Sequence, residues 1–129
     1  MRKTRKSSEV AAPPAGDRLL LHVEAGLRHA VDADAVYYVE AKADDCEIRM
    51  RGKQALRDVR PIEVLAAAFA RPGFVRIHRS YLVNVGHVRL VRRRKRSEDW
   101  EVTLEAPVNA VLPVSRSALA ALWRSLGED

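Results

Sequence analysis

The sequence has few of the residues that characterise metal-binding, secreted or membrane proteins. Cys46 is the single cysteine among 129 residues, so no internal disulfide can form, and no spacing of Cys and His resembles a zinc site. No apolar run approaches the roughly 20 residues that a membrane-spanning helix requires. The basic residues at positions 2–6 are followed by Ser, Glu, Ala and Pro rather than by a signal-type apolar stretch. We therefore expect a cytoplasmic protein without membrane insertion, metal or other cofactor.

The motifs of phosphate-binding and hydrolytic enzymes are also missing. There is no glycine-rich phosphate loop and no nucleophile elbow. A cluster of acids beside a His78 base would suit a small metal-dependent nuclease, but the acids lack a metal-ligand spacing such as D-x-D-x-D-G; they are Glu40, Asp44, Asp45 and Glu47. We predict that the protein is not an enzyme.

Positive charge is abundant and unevenly placed. The formal net charge is +6 and the pI is about 10.0. Residues 1–16 carry four basic residues and one acidic residue, residues 17–73 carry nine and ten, and residues 74–129 carry ten and six. The excess therefore lies at the N-terminus and in the C-terminal half. Clustered arginine in a basic chain is typical of nucleic-acid-binding proteins.

A chain of this length is expected to form one domain. Residues 1–16 are basic and then rich in Ala and Pro, without periodicity, so we predict a disordered tail. That tail is either an arm for DNA phosphates or simply an untethered start. The folded domain is expected to span residues 17–129.

Hydrophobic periodicity predicts a mainly-β domain with two short helices. Short segments in which apolar residues alternate or run together are separated by turn residues, at positions 19–23, 27–31, 35–41, 46–51, 54–59, 74–78, 81–83, 87–91, 100–105 and 110–114. Alternation places Tyr37 and Tyr38 on opposite faces of their strand. One helix is predicted after Pro61 and ends at Pro72-Gly73. The other is predicted to be capped by Ser115 and to carry an apolar stripe from Leu119 to Leu126.

The segment 74–84 combines a strand, a polar triplet and a second apolar run. Phe74 to His78 alternates, and Tyr81-Leu82-Val83 is continuously apolar. Between them lie His78, Arg79 and Ser80 on a predicted bend. These side chains suit contact with phosphates and base edges. They equally suit a structural bend, with His78 bonded to the backbone and Arg79 solvated.

Two motifs resemble the LytTR family of bacterial DNA-binding domains. They are Arg-Ile-His-Arg-Ser-Tyr-Leu-Val-Asn at 76–84 and Leu-Pro-Val-Ser-Arg at 112–116. The strand 35–41 is similar to the family's "I-x-Y-I-E-A" element, and the resemblance extends from about Arg18 to Leu126. It implies about ten short strands in three small stacked sheets, forming an elongated β-sandwich-like body.

Arg116 is the sharpest candidate for DNA contact. It follows the predicted cap Ser115, so it lies in the first helical turn, where a cation opposes the helix dipole. An Arg at this place is favourable if a phosphate or a guanine edge approaches; otherwise it is an exposed side chain that tolerates a small penalty. The family resemblance implies that Arg116 reads a base in the major groove.

The resemblance implies further DNA contacts in two other loops. It places Arg79, the residue after His78, among the contacts. A third contact falls in the loop after the 35–41 strand, which here runs from Lys42 to Cys46. This loop departs from the family pattern, because it holds two acids and a cysteine. A redox role for Cys46 is a weaker alternative.

Five consecutive cations follow the predicted strand 87–91 at a hairpin tip. They can reach DNA phosphates, releasing counterions, or form a solvated turn that protects an edge strand. Residue types alone leave both readings open for Arg92, Arg93, Arg94, Lys95 and Arg96.

The resemblance implies a sequence-specific double-stranded DNA-binding protein that regulates transcription. Two copies would bind imperfect direct repeats about one helical turn apart. The chain is expected to lack the receiver module that often accompanies this response-regulator output domain. Its input would then be its concentration or a regulatory partner or inhibitor protein. The alternative is a basic β module that binds RNA or a protein, although RNA stacking needs exposed aromatics and only 5% of residues are aromatic.

Overall fold

The computed structural model describes residues 18–52, 55–70 and 73–128. Within them lie ten strands and two short helices. The strands are β1 (Arg18–Glu24), β2 (Leu27–Asp32), β3 (Val36–Lys42), β4 (Asp45–Met50), β5 (Ala55–Asp58), β6 (Phe74–His78), β7 (Tyr81–Asn84), β8 (Val88–Arg93), β9 (Trp100–Leu104) and β10 (Val111–Val114). The helices are α1 (Ile62–Ala68) and α2 (Leu119–Ser125), and 3-10 turns cover 33–35, 85–87 and 116–118.

The strands form three antiparallel sheets. The largest has the order β5-β4-β3-β7-β6, a second has the order β10-β9-β8, and β1 and β2 form a separate hairpin. The backbone joins the sheets, since Val59 N donates to His22 O at 2.9 Å and Ser115 N donates to Ile77 O at 2.8 Å. The expected mainly-β architecture of ten strands in three sheets is confirmed.

Two hydrophobic cores lie on the two faces of the five-stranded sheet. The first packs α1 and the β1–β2 hairpin against one face, through Leu21, Leu65 and Phe69. The second packs β9, β10 and α2 against the other face, through Ile77 and Leu122. Strands buried on both faces read as apolar runs, which explains why β7 lacks alternation. The turn that follows β6 is thereby held between two packed layers.

Tyr37 and Tyr38 do not lie on opposite faces, contrary to strict alternation. The register of β3 against β4 shifts between Val36 and Tyr38, as at a β-bulge. Both tyrosines therefore pack against the second core, while Val36 and Val39 enter the first. An extra residue in one strand reverses the side-chain alternation locally, and this is invisible in the sequence.

Other boundaries differ by one or two residues from the expected ones. His87 belongs to a 3-10 turn rather than to a strand, and it is buried. Its ring stacks on Tyr37 with centroids 3.9 Å apart, and its Nδ1 lies 2.8 Å from a Glu105 oxygen. The predicted tail 1–16 and the strand start at Gln54 lie outside the described residues, and α1 ends at Ala68, before the predicted end at Pro72-Gly73.

Candidate nucleic-acid interface

The turn between β6 and β7 is held by hydrogen bonds at several backbone positions. Arg76 donates from Nε to His78 O at 3.2 Å and from Nη2 to Arg79 O at 2.6 Å. Ser80 N donates to Nδ1 of His78 at 3.1 Å, and Ser80 O accepts from Ala41 N at 2.9 Å. The bend predicted at His78–Ser80 is present, and the proposed backbone bond of His78 is one of its supports.

The Arg79 side chain projects from this fixed turn. It is exposed, and its guanidinium has neither an ion pair nor a hydrogen bond with any other described residue. A guanidinium with five free donors on a rigid backbone suits recognition of phosphate or of a base edge.

Ser115 and Arg116 begin a 3-10 turn rather than the helix itself. Arg116 to Ala118 form that turn, and α2 starts only at Leu119. The Ser115 hydroxyl makes no side-chain cap bond; it lies 3.5 Å from the Ser117 hydroxyl. The predicted N-cap role of Ser115 is therefore wrong, and Arg116 is not in the first turn of an α-helix, so the dipole argument does not apply to it.

Arg116 nevertheless lies next to the β6–β7 turn. Ser115 N donates to Ile77 O at 2.8 Å, which ties the start of the 3-10 turn to the end of β6. A groove of about 440 Å³ is bordered by His78, Ser115 and Arg116 on one side and by Arg94 and Trp100 on the other. Arg116 is exposed and makes no ion pair with another described residue.

A second groove, of about 540 Å³, lies on the other side of the same junction. His78 and Ser115 border both grooves. Arg76 and Arg79 line the second one together with the 3-10 turn and α2. The fold thus brings four of the sequence-predicted residues to one edge: His78, Arg79, Ser115 and Arg116.

The β3–β4 loop reaches the same neighbourhood through Lys42. The Ala41–Ser80 bond joins the end of β3 to the β6–β7 turn, and Lys42 Nζ lies 3.5 Å from a Glu40 oxygen. Asp45 pairs with Arg57 of β5. The two acidic residues of this segment therefore differ: the charge of Asp45 is neutralised by Arg57, whereas Asp44 is exposed.

Cys46 is not available on the surface. Its side chain is 1% exposed, and burial raises the pKa of its thiol to about 11. A fully buried thiol cannot touch DNA, and a thiol with a raised pKa is inert to redox chemistry. The expected contact from Cys46 has no geometric basis here.

The cation run divides between a strand and a loop. Arg92 and Arg93 belong to β8, so the hairpin tip is shorter than expected. Arg92 Nη2 lies 3.0 Å and Arg94 Nε lies 3.9 Å from oxygens of Glu101. The remaining three side chains have no ion pair among the described residues; they are Arg93, Lys95 and Arg96.

Two residues important to this edge were missed by sequence reasoning. In the sequence, Arg76 and Glu101 each resemble an ordinary outward-facing polar residue of a strand. Their contacts depend on which loop folds over which strand. The only signal available was for Arg76, a polar residue two positions before a predicted turn.

The described surface offers little for the alternative functions. All seven Phe, Tyr and Trp residues are described, and none of them is exposed, so no aromatic stacking platform is present. Among residues 18–52, 55–70 and 73–128, no three His, Cys, Asp or Glu side chains come together as metal ligands. None of the described helices has the length and apolar character needed to cross a bilayer.

A mainly-β body with unpaired arginines on adjoining turns fits the class of nucleic-acid-binding domains that read through loops. Comparison with protein families specifies the class further. The LytTr DNA-binding domain model matches residues 27–127, and the chain belongs to this family. Its partner is accordingly double-stranded DNA, and its general role is in transcription regulation.

A solved structure supports the fold. The chain is similar to the LytTr DNA-binding domain of a protein described as a methyl-accepting/DNA response regulator from Bacillus cereus. The identity is 21%, the TM-score is 0.67, and the likeness covers 86% of this chain and 97% of that one. No curated protein matches the chain.

Proposed function

We propose that this protein binds double-stranded DNA sequence-specifically, with Arg116 and Arg79 as the principal base-reading residues. The observation that carries this proposal is their shared edge. The Ser115–Ile77 hydrogen bond of 2.8 Å holds the two turns side by side, and each turn presents an exposed guanidinium without a partner among the described residues. Arginine binds guanine O6 and N7 through two parallel hydrogen bonds, which discriminates by about 1–3 kcal/mol per base pair.

The other cations of the edge add affinity rather than specificity. Phosphate contacts position a protein on DNA without reading sequence. Arg94 borders the groove beside Arg116. His78, Ser80 and Ser115 lie within the two turns, and Lys42 follows Ala41, which bonds to the β6–β7 turn. The β8–β9 hairpin extends this surface with three unpaired cations. The edge is therefore suited to cross a phosphate backbone while the two arginines enter a groove.

The larger organisation of binding follows from the family resemblance. Two copies are proposed to occupy imperfect direct repeats about one helical turn apart, within the cytoplasm. A regulatory partner or inhibitor protein is proposed to set the activity. Catalysis has no part in this function.

Selection from a genomic fragment library tests the proposal. Wild type, Arg116→Ala and the charge-matched control Arg28→Ala are compared at roughly physiological salt. Arg28 lies on β2 and, among the residues that the structure describes, hydrogen-bonds only to backbone carbonyls near it. We expect wild type and Arg28→Ala to enrich the same spaced repeats, and Arg116→Ala to bind weakly without sequence preference.

Other outcomes would redirect the assignment. Equal enrichment by all three proteins would reduce Arg116 to a surface cation. Enrichment of single sites without a repeat would remove the two-copy arrangement but keep base reading. Absence of any preference in wild type would favour an RNA or protein partner.

A further inference from the structure

We propose that Arg76 is a positioning residue that holds the β6–β7 turn in its DNA-reading shape, rather than a DNA contact itself. This inference rests on the proposed role of Arg79. It assigns to a strand residue the task of fixing the backbone from which Arg79 projects.

The geometry is that of a clamp across the turn. Arg76 and Arg79 are three residues apart, and the turn bends the chain back over the Arg76 side chain. Nε reaches His78 O at 3.2 Å, while Nη2 reaches Arg79 O at 2.6 Å. Two different nitrogens thus bind two consecutive carbonyls, which fixes both peptide planes at once.

Without the clamp, the Arg79 carbonyl would keep no other hydrogen-bond partner among the described residues, whereas His78 also pairs with Tyr81 in the β6–β7 ladder. Ser80 would still be held on both sides, because its N–H donates to His78 Nδ1 and its C=O accepts from Ala41. The peptide unit between Arg79 and Ser80, whose carbonyl is bound by Arg76, is therefore the part of the turn that depends most on Arg76. Freedom there costs ordering entropy when DNA binds.

The half-buried position of Arg76 argues against a direct phosphate role. Arg76 is partly shielded, whereas Arg79 and Arg116 are exposed. Its Nε and Nη2 are already committed to carbonyls of the same chain. A phosphate contact would have to break these bonds or use the remaining nitrogen in the groove between the turn and α2.

Arg76→Lys and Arg76→Gln separate positioning from charge. Lysine keeps the charge but has a single nitrogen, which cannot reproduce bonds made by two nitrogens. We expect both variants to lose on the order of tenfold in preference for the selected repeat over a scrambled duplex. The slope of log Kd against log salt is expected to stay at the wild-type value for Arg76→Gln, because no phosphate contact is removed.

The matched control is Arg89→Gln, which removes one exposed strand arginine on β8. It should leave the sequence preference unchanged. In the free proteins, amide hydrogen exchange at Ser80, whose N–H shares a peptide unit with the Arg79 carbonyl, is expected to rise in both Arg76 variants and not in Arg89→Gln. This readout requires no DNA, so it tests the clamp even if the proposed function fails.

Three results would overturn the inference. Wild-type behaviour of Arg76→Lys, with a slope about 0.9 shallower in Arg76→Gln, would make Arg76 a phosphate contact. Unchanged amide exchange in both variants would show that the turn does not need the clamp. If Arg76→Gln does not fold, Arg76→Lys with wild-type preference and exchange would also exclude the positioning role.

Discussion

Basic residues in the two halves of this protein are used in opposite ways. In the described residues 18–70, each of the seven has an ion pair or hydrogen bond; they are Arg18, Arg28, Lys42, Arg49, Arg51, Arg57 and Arg60. In the described residues 73–128, three of ten do; they are Arg76, Arg92 and Arg94. Basic side chains of the first half are paired within the chain, whereas most of those in the second half are free to bind an anion.

The acids explain this difference. Nine acidic residues accompany the seven basic ones in the described first half, whereas five accompany the ten in the second half. The formal balances are therefore −2 and +5. A cation with a nearby carboxylate is already neutralised, and it contributes little to a long-range field. Attraction of a polyanion is thus concentrated on the strands and turns from β6 to α2.

The ion pair between Asp58 and Arg60 shows what the first half gains. Asp58 is 0% exposed and accepts from Arg60 Nη2 at 2.8 Å and from His22 N at 2.9 Å. Burial alone would raise the pKa of Asp58, but the hydrogen bonds from Arg60 and from two backbone amides lower it below its usual value. Its contribution to stability is therefore present above the unfolded pKa of about 3.9 and is lost as the pH falls through the lower folded value.

Asp58→Ala is expected to give the largest effect on stability, a loss of about 2–4 kcal/mol in the free energy of unfolding. It leaves the largely buried Arg60 without its carboxylate and His22 N without its acceptor. Urea unfolding at neutral pH measures the change. The control Asp32→Ala removes a carboxylate 4.0 Å from Arg18 that is 62% exposed, and it should cost less than about 1 kcal/mol. Equal losses of unfolding free energy in the two variants would show that the buried Asp58–Arg60 pair is no more stabilising than the exposed Asp32–Arg18 pair.

Neutralising the free basic side chains of the second half should change DNA affinity strongly and stability little. The triple variant Arg93→Gln, Lys95→Gln and Arg96→Gln is expected to change stability by no more than about 0.5 kcal/mol. If all three reach phosphate, the slope of log Kd against log salt becomes shallower by about 2.7. As salt rises from 50 to 200 mM, wild type should therefore lose about 40-fold more affinity than the triple variant loses.

The measurement is a salt titration of binding to the selected repeat and to a scrambled duplex. Because phosphate contacts carry no sequence information, both duplexes should lose affinity alike. An unchanged slope would mean that the hairpin is a solvated turn pointing away from DNA. A loss confined to the selected repeat would mean that the hairpin reads bases.

Most of the fold followed from the sequence because the signals were local. Alternation and turn residues identified all ten strands and both helices. Asn84 caps the turn before Gly86, with its Oδ1 accepting from Gly86 N at 3.0 Å. Sheet order did not follow from spacing, since β3 pairs with β7 across about forty intervening residues; the family resemblance supplied only the number of sheets.

The residues of the candidate site were proposed from sequence motifs, but their geometry could not be predicted. The motifs identified Arg79 and Arg116, yet their proximity depends on the Ser115–Ile77 backbone bond. Ser115 had the residue type of a cap, but a 3-10 turn precedes α2, so its hydroxyl faces Ser117 instead. Cys46 was predicted at the start of the strand 46–51 and also as a DNA contact; it lies in β4 with its side chain in the first core. Long-range packing decided each of these outcomes.

The buried thiol of Cys46 makes the stability of the protein depend on pH in the alkaline range. Burial raises its pKa to about 11 from an ordinary value of 9.0. Between these values the unfolded chain has lost the proton that the folded protein retains, so stability falls as the pH rises. At pH 10 the loss is about 1.4 kcal/mol relative to neutral pH. The difference in unfolding free energy between wild type and Cys46→Ala, followed from pH 7 to 10, isolates this contribution; a constant difference would contradict it.

Glu101 is the acid that breaks the pattern of the second half, and its removal should give the smallest effect. Its carboxylate is 16% exposed and lies against Arg92 and Arg94 on the border of the groove beside Arg116. Because both guanidiniums are largely exposed, each pair contributes up to about 1 kcal/mol. We infer that it restrains two guanidiniums that would otherwise bind any phosphate.

Glu101→Gln is therefore expected to raise affinity for a scrambled duplex severalfold and to steepen its salt slope by about 1–2. Affinity for the selected repeat should rise less, so the ratio of specific to non-specific binding falls. The control Glu98→Gln makes the same charge change at an exposed position of the same hairpin. If both variants raise non-specific affinity equally, only net charge matters and Glu101 has no particular role. If only Glu101→Gln does so, the position of carboxylates determines in both halves which basic side chains are paired within the chain and which are free to bind DNA.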